Sequence, residues 1–402
     1  MSLSPILTRC ILAFFFVIAL LPNGQVGQVN VKLISLLVCL SLIFVEFFRY
    51  KMTKLSLVIA FAFLNFIFVL SIWWILGIIN ENTYATEQFK GVVVTLVVIA
   101  IALFFAAGHE IRRLQALKAI VLGNFIYCIL KLFIIILIYL KLLSFDVLIG
   151  VFNFLNTTPV TLEILPRVLR IQTISDILSP FIVGILLYKR DIWVKYRAMI
   201  LFILFASILF SYARAIWLLT FAVVILNPQQ AILKKNYFIR ATTAVSLFAS
   251  LMILGPAQYL INRFYGENIA ASDQIRSQQI AGLLEYSLAR PFFGHGFGAY
   301  IPGIIRDSNA PYTYEVQWLA LLMQVGILGL FVLLVYLMLG FVFMVKSRQS
   351  TYWIALYFMW LLMGFTNPYL TSSVAGIVFA ICLYLSNEKW NNMGTERSLV
   401  KI

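Results

Sequence analysis

The sequence predicts an all-α, polytopic transmembrane bundle of about twelve helices with one large outer loop containing short helices. Three observations predict it. Hydrophobic residues make up 63% of the 402 and charged residues 11%, and the mean hydropathy is +0.99; a soluble domain has roughly half and a quarter. Apolar stretches of about 18 residues or more recur along the chain, each able to cross roughly 30 Å of hydrocarbon as a helix. The alternating segments of a membrane barrel are absent. Finally, Lys and Arg gather in short polar breaks on alternate sides of these stretches, as cytoplasmic loops require.

Taken in order, crossings are expected at 10–22, 31–48, 55–78, 91–107, 119–143, 171–188, 198–212, 214–227, 241–258, 315–345, 351–365 and 371–386. The first follows Arg9 and runs into Leu21-Pro22-Asn23-Gly24-Gln25 without an Ala-x-Ala site, so it reads as a retained helix rather than a signal peptide. Basic clusters then mark one set of breaks: Arg49, Lys51 and Lys54; Arg112, Arg113 and Lys118; Lys189, Arg190, Lys195 and Arg197; Lys234, Lys235 and Arg240; Lys346 and Arg348; and a tail with Lys389, Arg397 and Lys401. All fall on one side, which puts both termini in the cytoplasm. The other breaks, at 23–30, 79–90, 144–170, 259–314 and 366–370, are poorer in Lys. The stretch 315–345 exceeds one untilted crossing, so it tilts, or bends at Gly326 or Gly329. The chain divides into nine helices over 1–258, a large loop at 259–314, and three helices with a tail over 315–402.

The basic clusters account for the net charge of +15, so nucleic acid is not expected as a partner. Cys10, Cys39, Cys128 and Cys382 all lie in apolar runs, which argues against a disulfide framework and a thiolate metal site.

Loop 259–314 carries Arg263, Arg276, Arg290 and Arg306 against Glu267, Asp273, Glu285 and Asp307, with no Lys. Guanidinium forks onto phosphate oxygens in a way ammonium does not; alternatively these arginines pair with the loop's own carboxylates. Ser272 to Leu288 reads as an amphipathic helix, with Ser272 as N-cap and Ile280, Leu283, Leu284 and Leu288 as an apolar stripe. It would lie on the membrane or on the bundle. Arg290-Pro291 closes it. Gly294-His295-Gly296-Phe297-Gly298 follows, and its glycines permit close backbone approach. His295 is either a base or the cap of a turn.

Two charges stand inside apolar sequence. Arg214, in Ser211-Tyr212-Ala213-Arg214-Ala215-Ile216-Trp217, sits at the outer end of two adjoining crossings, where it faces water or a partner, or snorkels beside Trp217. Lys131 falls near the middle of its crossing and pairs within the bundle unless the helix limits are wrong.

Together, Tyr212–Leu219, Arg276, Ala289–Gly298 and Glu315–Leu330, ending Gln324-Val325-Gly326-Ile327-Leu328-Gly329-Leu330, resemble the bacterial O-antigen ligase/polymerase superfamily of multi-spanning GT-C-type glycosyltransferases. The resemblance covers about residues 205–345. It implies a reaction on the periplasmic face of the inner membrane, in which a sugar hydroxyl attacks the anomeric carbon of an undecaprenyl-diphosphate-linked oligosaccharide. It also implies no metal, no nucleotide sugar and no other cofactor. Carried over by position, Arg214 and Arg276 match arginines that hold the diphosphate. Where ligases have a His-Asn pair ahead of the glycine matched by Gly326, this chain has Glu315-Val316, a departure that favours a polymerase. Glu can take a hydroxyl proton as His does, and arginines can stabilise the leaving diphosphate. Otherwise Glu315 simply complements a helix N-terminus.

The expected catalytic residues are therefore Glu315, Arg214 and Arg276, with Arg290, His295, Tyr314 and Gln317 binding substrate. Tyr312, Tyr314, Gln317 and Trp318 contact sugars or form an interfacial belt. The expected partners are the lipid-linked oligosaccharide, the bilayer and a polysaccharide chain-length regulator. The alternatives are a ligase moving polymer to lipid A–core, and a secondary transporter. Against the transporter stand the lack of half-to-half similarity and the absence of a Gly/Asp/Arg motif at Arg49–Lys54.

Overall fold

The computed structural model describes residues 4–21, 23–49, 54–106, 110–155, 160–165, 168–188, 192, 194–226, 267–305, 307–345 and 351–386. Among them the chain is all-α, apart from two small hairpins. Its helices are α1 (Pro5–Leu20), α2 (Val31–Arg49), α3 (Lys54–Ile79), α4 (Ala85–Ala106), α5 (Glu110–Tyr139), α6 (Phe145–Phe154), α7 (Leu178–Tyr188), α8 (Arg197–Ser211), α9 (Arg214–Ile225), α10 (Glu267–Ala289), α11 (Gln317–Val345), α12 (Thr351–Leu362) and α13 (Ser373–Ser386). Four contain stretches long and apolar enough to cross a membrane: Ala60–Ile79, Ala85–Phe105, Ile111–Tyr139 and Gln317–Met338. The expected crossing at 241–258 lies outside the described residues, as do Arg263 and Arg306.

Local chemistry explains the ends of several elements. Ser4 caps α1 through its hydroxyl, which accepts from Leu7 N at 3.2 Å, and Pro5 follows where its missing N–H costs nothing. α1 then buries Leu7, Ile11, Phe14, Phe15 and Ile18 in the centre of the bundle. It lies against α5 at Gly123, where a Cβ would stand 2.5 Å from Phe16 O. α13 is buried along its whole length. α2 and α3 are peripheral: Phe48, Phe61 and Phe68 are each more than 70% exposed, a surface that fits lipid rather than water.

Breaks between helices meet at two ends of the bundle. At one end Gly27 N donates to Phe154 O at 2.7 Å, Lys32 Nζ to Ser373 Oγ at 3.2 Å and Gln172 Nε2 to the Tyr369 hydroxyl at 2.9 Å. At the other end Ser4 N donates to Glu46 Oε1 at 3.3 Å, Tyr352 OH to Val223 O at 2.7 Å and Tyr384 OH to Ala102 O at 3.0 Å. The first set joins the breaks poor in Lys.

The long run after Glu315 bends at Gly326, one of the two expected places, with φ 64° and ψ −174°. A break there frees the N–H groups of Ile327 and Leu328 and the carbonyls they would meet four residues earlier. The segment 291–296 takes all four: Ile327 N donates to Pro291 O and Leu328 N to Phe292 O, while His295 N donates to Met323 O and Gly296 N to Gln324 O. Gly294 (φ 66°) and Gly326 face each other, and a Cβ on either would stand 2.6 Å from the other's nitrogen. The glycine-rich turn is thus a backbone wedge set into a split helix.

Three expectations need correction. α10 starts at Glu267, so Ser272 lies inside the helix rather than capping it; Glu267-Asn268-Ile269-Ala270-Ala271 extends it by more than a turn. The outer loop therefore carries a 23-residue helix, not only short ones. The break 144–170 contains α6 and the strands Val160–Leu165 and Val168–Gln172. The strand pair extends past 170, so the crossing expected from 171 becomes α-helical only at Leu178. Between them Thr173 and Asp176 form a capping box around a short 3-10 turn.

Candidate functional site

Glu315 stands two residues ahead of α11. Its carboxylate Oε2 lies 2.5 Å from Arg276 Nε, and its own N–H donates to Gln279 Oε1 at 3.2 Å. Arg276 and Gln279 are three residues apart, so one face of α10 presents both. Leu283, on the same face, is fully buried with Ala299, Ile301, Tyr314, Ala320 and Met323. Apolar packing thus aligns the second half of α10 along the first part of α11, and the ion pair joins the middle of α10 to the residue two positions ahead of α11. The paired side chains are 27% and 11% exposed. Glu315 is buried and Arg276 half-buried, so removing Arg276 strands a buried carboxylate, while the exposed part of the guanidinium stays within reach of a solute.

Tyr314 and Gln317, which flank Glu315 in sequence, line a cavity of about 120 Å³ together with Gln88, Tyr312, Gln324, Thr371 and others, while Arg276 and Glu315 themselves do not line it. Burial pushes the Tyr312 phenol up from its usual range, with Glu87 and Asp307 adding to the shift; burial likewise raises Tyr314. Both therefore stay protonated at neutral pH. Tyr314 OH accepts from Ile301 N at 2.7 Å. Gln317 donates to Thr371 Oγ1 at 2.7 Å and accepts from Leu370 N at 2.7 Å, fixing the 370–371 segment against α11. Gln88 Nε2 donates to Gln324 Oε1 at 2.6 Å, and Gln88 Oε1 accepts from Gly298 N. Most polar groups of the wall are already engaged, so its shape is set before any solute enters.

The remaining expected residues lie elsewhere. Arg290 donates to Asn80 Oδ1 at 3.1 Å. His295 is held by its backbone, its carbonyl accepting from Asn80 and Asn82 side chains at 3.0 and 2.9 Å, and its ring Nε2 lies 3.0 Å from Tyr286 O. A carbonyl only accepts, so Nε2 carries the proton there. These contacts suit the turn-holding reading of His295. Arg214 opens α9, half-buried, with no hydrogen-bond or ion-pair partner among the described residues. The structure therefore joins Arg276 to Glu315 and places Tyr314 and Gln317 on the cavity, while Arg214, Arg290 and His295 make no contact with the ion pair.

Sequence reasoning missed Arg170. It is buried, donates from Nε to Ser211 O at 3.0 Å and also bonds Gln172 Oε1. It thus grips the last carbonyl of α8, three residues before Arg214. Its only sequence signal was its place at the start of an apolar run. Lys131 does pair within the bundle: its Nζ lies 2.7 Å from Asp176 Oδ1 and 3.0 Å from Ser207 O. Asp176 Oδ2 accepts from Tyr127 OH and Thr173 N. Comparison with protein-family models, curated proteins and solved structures finds no match.

Proposed function

We propose that this chain is a metal-independent glycosyltransferase of the O-antigen polymerase kind, in the bacterial inner membrane with both termini cytoplasmic. It joins lipid-linked repeat units at the periplasmic end of a bundle of about twelve crossings, where a chain-length regulator would meet the product. The observation that carries the reading is the partly exposed Arg276–Glu315 pair, whose sequence neighbours Tyr314 and Gln317 line a tyrosine-bearing cavity. Guanidinium and carboxylate are the two groups the reaction needs, and they meet at the end of the bundle poor in Lys.

In the proposed reaction the donor's diphosphate draws Arg276 off Glu315. The freed carboxylate takes the proton of the acceptor hydroxyl, and that oxygen bonds to the anomeric carbon. The bond from that carbon to the diphosphate oxygen breaks, and its electron pair leaves with the lipid diphosphate. Arg276, and Arg214 from the start of α9, offset the developing charge. Cavity residues Tyr312, Tyr314 and Gln317 shape the acceptor side. Glu315 at the ligase histidine position supports a polymerase over a ligase.

The test is complementation of a polymerase-null strain, scored on the lipopolysaccharide ladder. The wild-type chain should extend a core-plus-one-unit pattern to full length. Glu315→Gln, Arg276→Ala and Arg214→Ala should each abolish or shorten it at equal membrane abundance. Normal ladders from all three sink the mechanism.

A further inference from the structure

We infer that α10 carries a binding track for the long apolar tail of a lipid diphosphate, with Arg276 at its head. This rests on the lipid-linked donor proposed above and adds how the lipid is held. Arg276, Ile280, Leu284 and Leu288 follow one another at four-residue steps, so they form a single ridge along the helix. The ridge is about 18 Å long at 1.5 Å per residue. It is charged at one end and apolar for the rest.

The ridge is not spent on the fold. Gln279, Leu283 and Ser287, on the neighbouring face, are the buried residues that pack α10 onto the bundle. Ile280, Leu284 and Leu288 are 40%, 42% and 76% exposed. Beyond them Gln274, Gln278 and Glu285 are exposed and polar. At roughly 100° per residue the helix thus has a packed side, a hydrophilic side, and an open side on which Ile280, Leu284 and Leu288 run beside exposed Ser277. Exposed Ile275 and Tyr286 lie across the packed side. Ile280, Leu284 and Leu288 are contiguous rather than scattered, and a contiguous exposed apolar strip marks an interaction surface.

The C-terminal end of the ridge runs into an exposed apolar surface. Leu288 leads to exposed Phe292 and Phe293. Phe293 O accepts from Trp73 Nε1 at 2.9 Å, on the peripheral helix α3, whose span ends at Ile79. The carbonyls of Pro291 and Phe292 accept from Ile327 and Leu328 of α11, and Ile327, Leu328 and Phe331 are themselves exposed. An apolar chain leaving the bilayer along α11 would therefore pass Phe292, climb Leu288, Leu284 and Ile280, and bring its phosphate group to Arg276. Continuity with the membrane face, and a cation at the far end, select a tailed anion over a soluble one.

Native mass spectrometry of the full chain in phosphatidylcholine nanodiscs tests this, with undecaprenyl diphosphate, inorganic diphosphate and phosphatidylglycerol as probes. Leu284→Ser and Leu288→Ser should each weaken undecaprenyl diphosphate binding about tenfold, the loss expected from one exposed-to-buried leucine contact. They should leave inorganic diphosphate binding unchanged, while Arg276→Ala weakens both. Both leucines are exposed, so their replacement leaves the core intact. The track is overturned if the double leucine variant binds the lipid diphosphate like wild type, if it loses inorganic diphosphate equally, or if phosphatidylglycerol competes on equal terms. A chain that binds as expected yet restores no ladder refutes the polymerase reading alone. A ladder restored equally by wild type and the double leucine variant refutes the track alone.

Discussion

Glu315 Oε2 is engaged by Arg276 Nε at 2.5 Å, so in the proposed reaction an anion that binds Arg276 also frees the carboxylate for the acceptor hydroxyl. Glu315→Gln keeps a hydrogen-bond acceptor for Arg276 while removing the base. Transfer of radiolabelled repeat units in proteoliposomes should fall by about 10²–10⁴-fold, with lipid diphosphate binding retained; unchanged transfer would leave Glu315 a positioning group only. Lys131 and Asp176 pose a different problem. Both are fully buried and hydrogen-bonded, so removing one strands the other. Lys131→Met should cost about 3–5 kcal/mol, seen as early thermal unfolding in detergent. Lys131→Met with Asp176→Asn, which removes the stranded charge but keeps an acceptor for Tyr127 and Thr173, should recover part of it. Equal melting of single and double variants would contradict this. At this scale the sequence showed the expensive charge at 131 but not its partner. Asp176 lies 45 residues away, in a 3-10 turn that apolar periodicity does not register. Arg170 was hidden for the same reason: its role depends on Ser211 and Gln172, which only the folded hairpin brings to it.

The split helix is the element that most constrains the Lys-poor end. Its two freed hydrogen-bond pairs are completed by residues 291–296, which requires glycine at both 294 and 326. Gly326→Ala adds a Cβ against Phe292 O at a positive φ, so it should lower the melting temperature and abolish the ladder. Gly303→Ala, where a Cβ meets nothing within 4 Å, should do neither. Equal behaviour of the two variants would mean the wedge is dispensable. The bend itself was legible, because a 31-residue apolar run with glycines inside it had to tilt or break. The wedge was not, since a glycine-rich stretch shows backbone freedom without naming its neighbour. The β-hairpin at 160–172 escaped for another reason. Val, Ile and Thr are strand formers, but residues 144–170 read only as a Lys-poor break, and the crossing expected from Ile171 starts inside the second strand.

Across the whole molecule, one side of the argument is electrostatic and the other is contact geometry. Basic clusters recur at alternate breaks, a pattern readable without any structure because charge crosses a bilayer at high cost. Hydrogen bonds independently join Lys-poor breaks to one another at the end where Arg276 meets Glu315. If that end faces the periplasm, exposed positions there should react with a membrane-impermeant maleimide in intact spheroplasts. Thr83→Cys and Asn309→Cys, both exposed at that end, are suitable reporters. Gln115→Cys and Lys195→Cys, exposed at the other, should label only after permeabilisation. Cys39, Cys128 and Cys382 are buried, so a Cys10→Ser background keeps unwanted labelling low. Labelling of Lys195→Cys in intact spheroplasts, with Asn309→Cys protected, would invert the bundle. It would also place Arg276 and Glu315 on the cytoplasmic face, and the proposed periplasmic reaction would have to be abandoned with the topology.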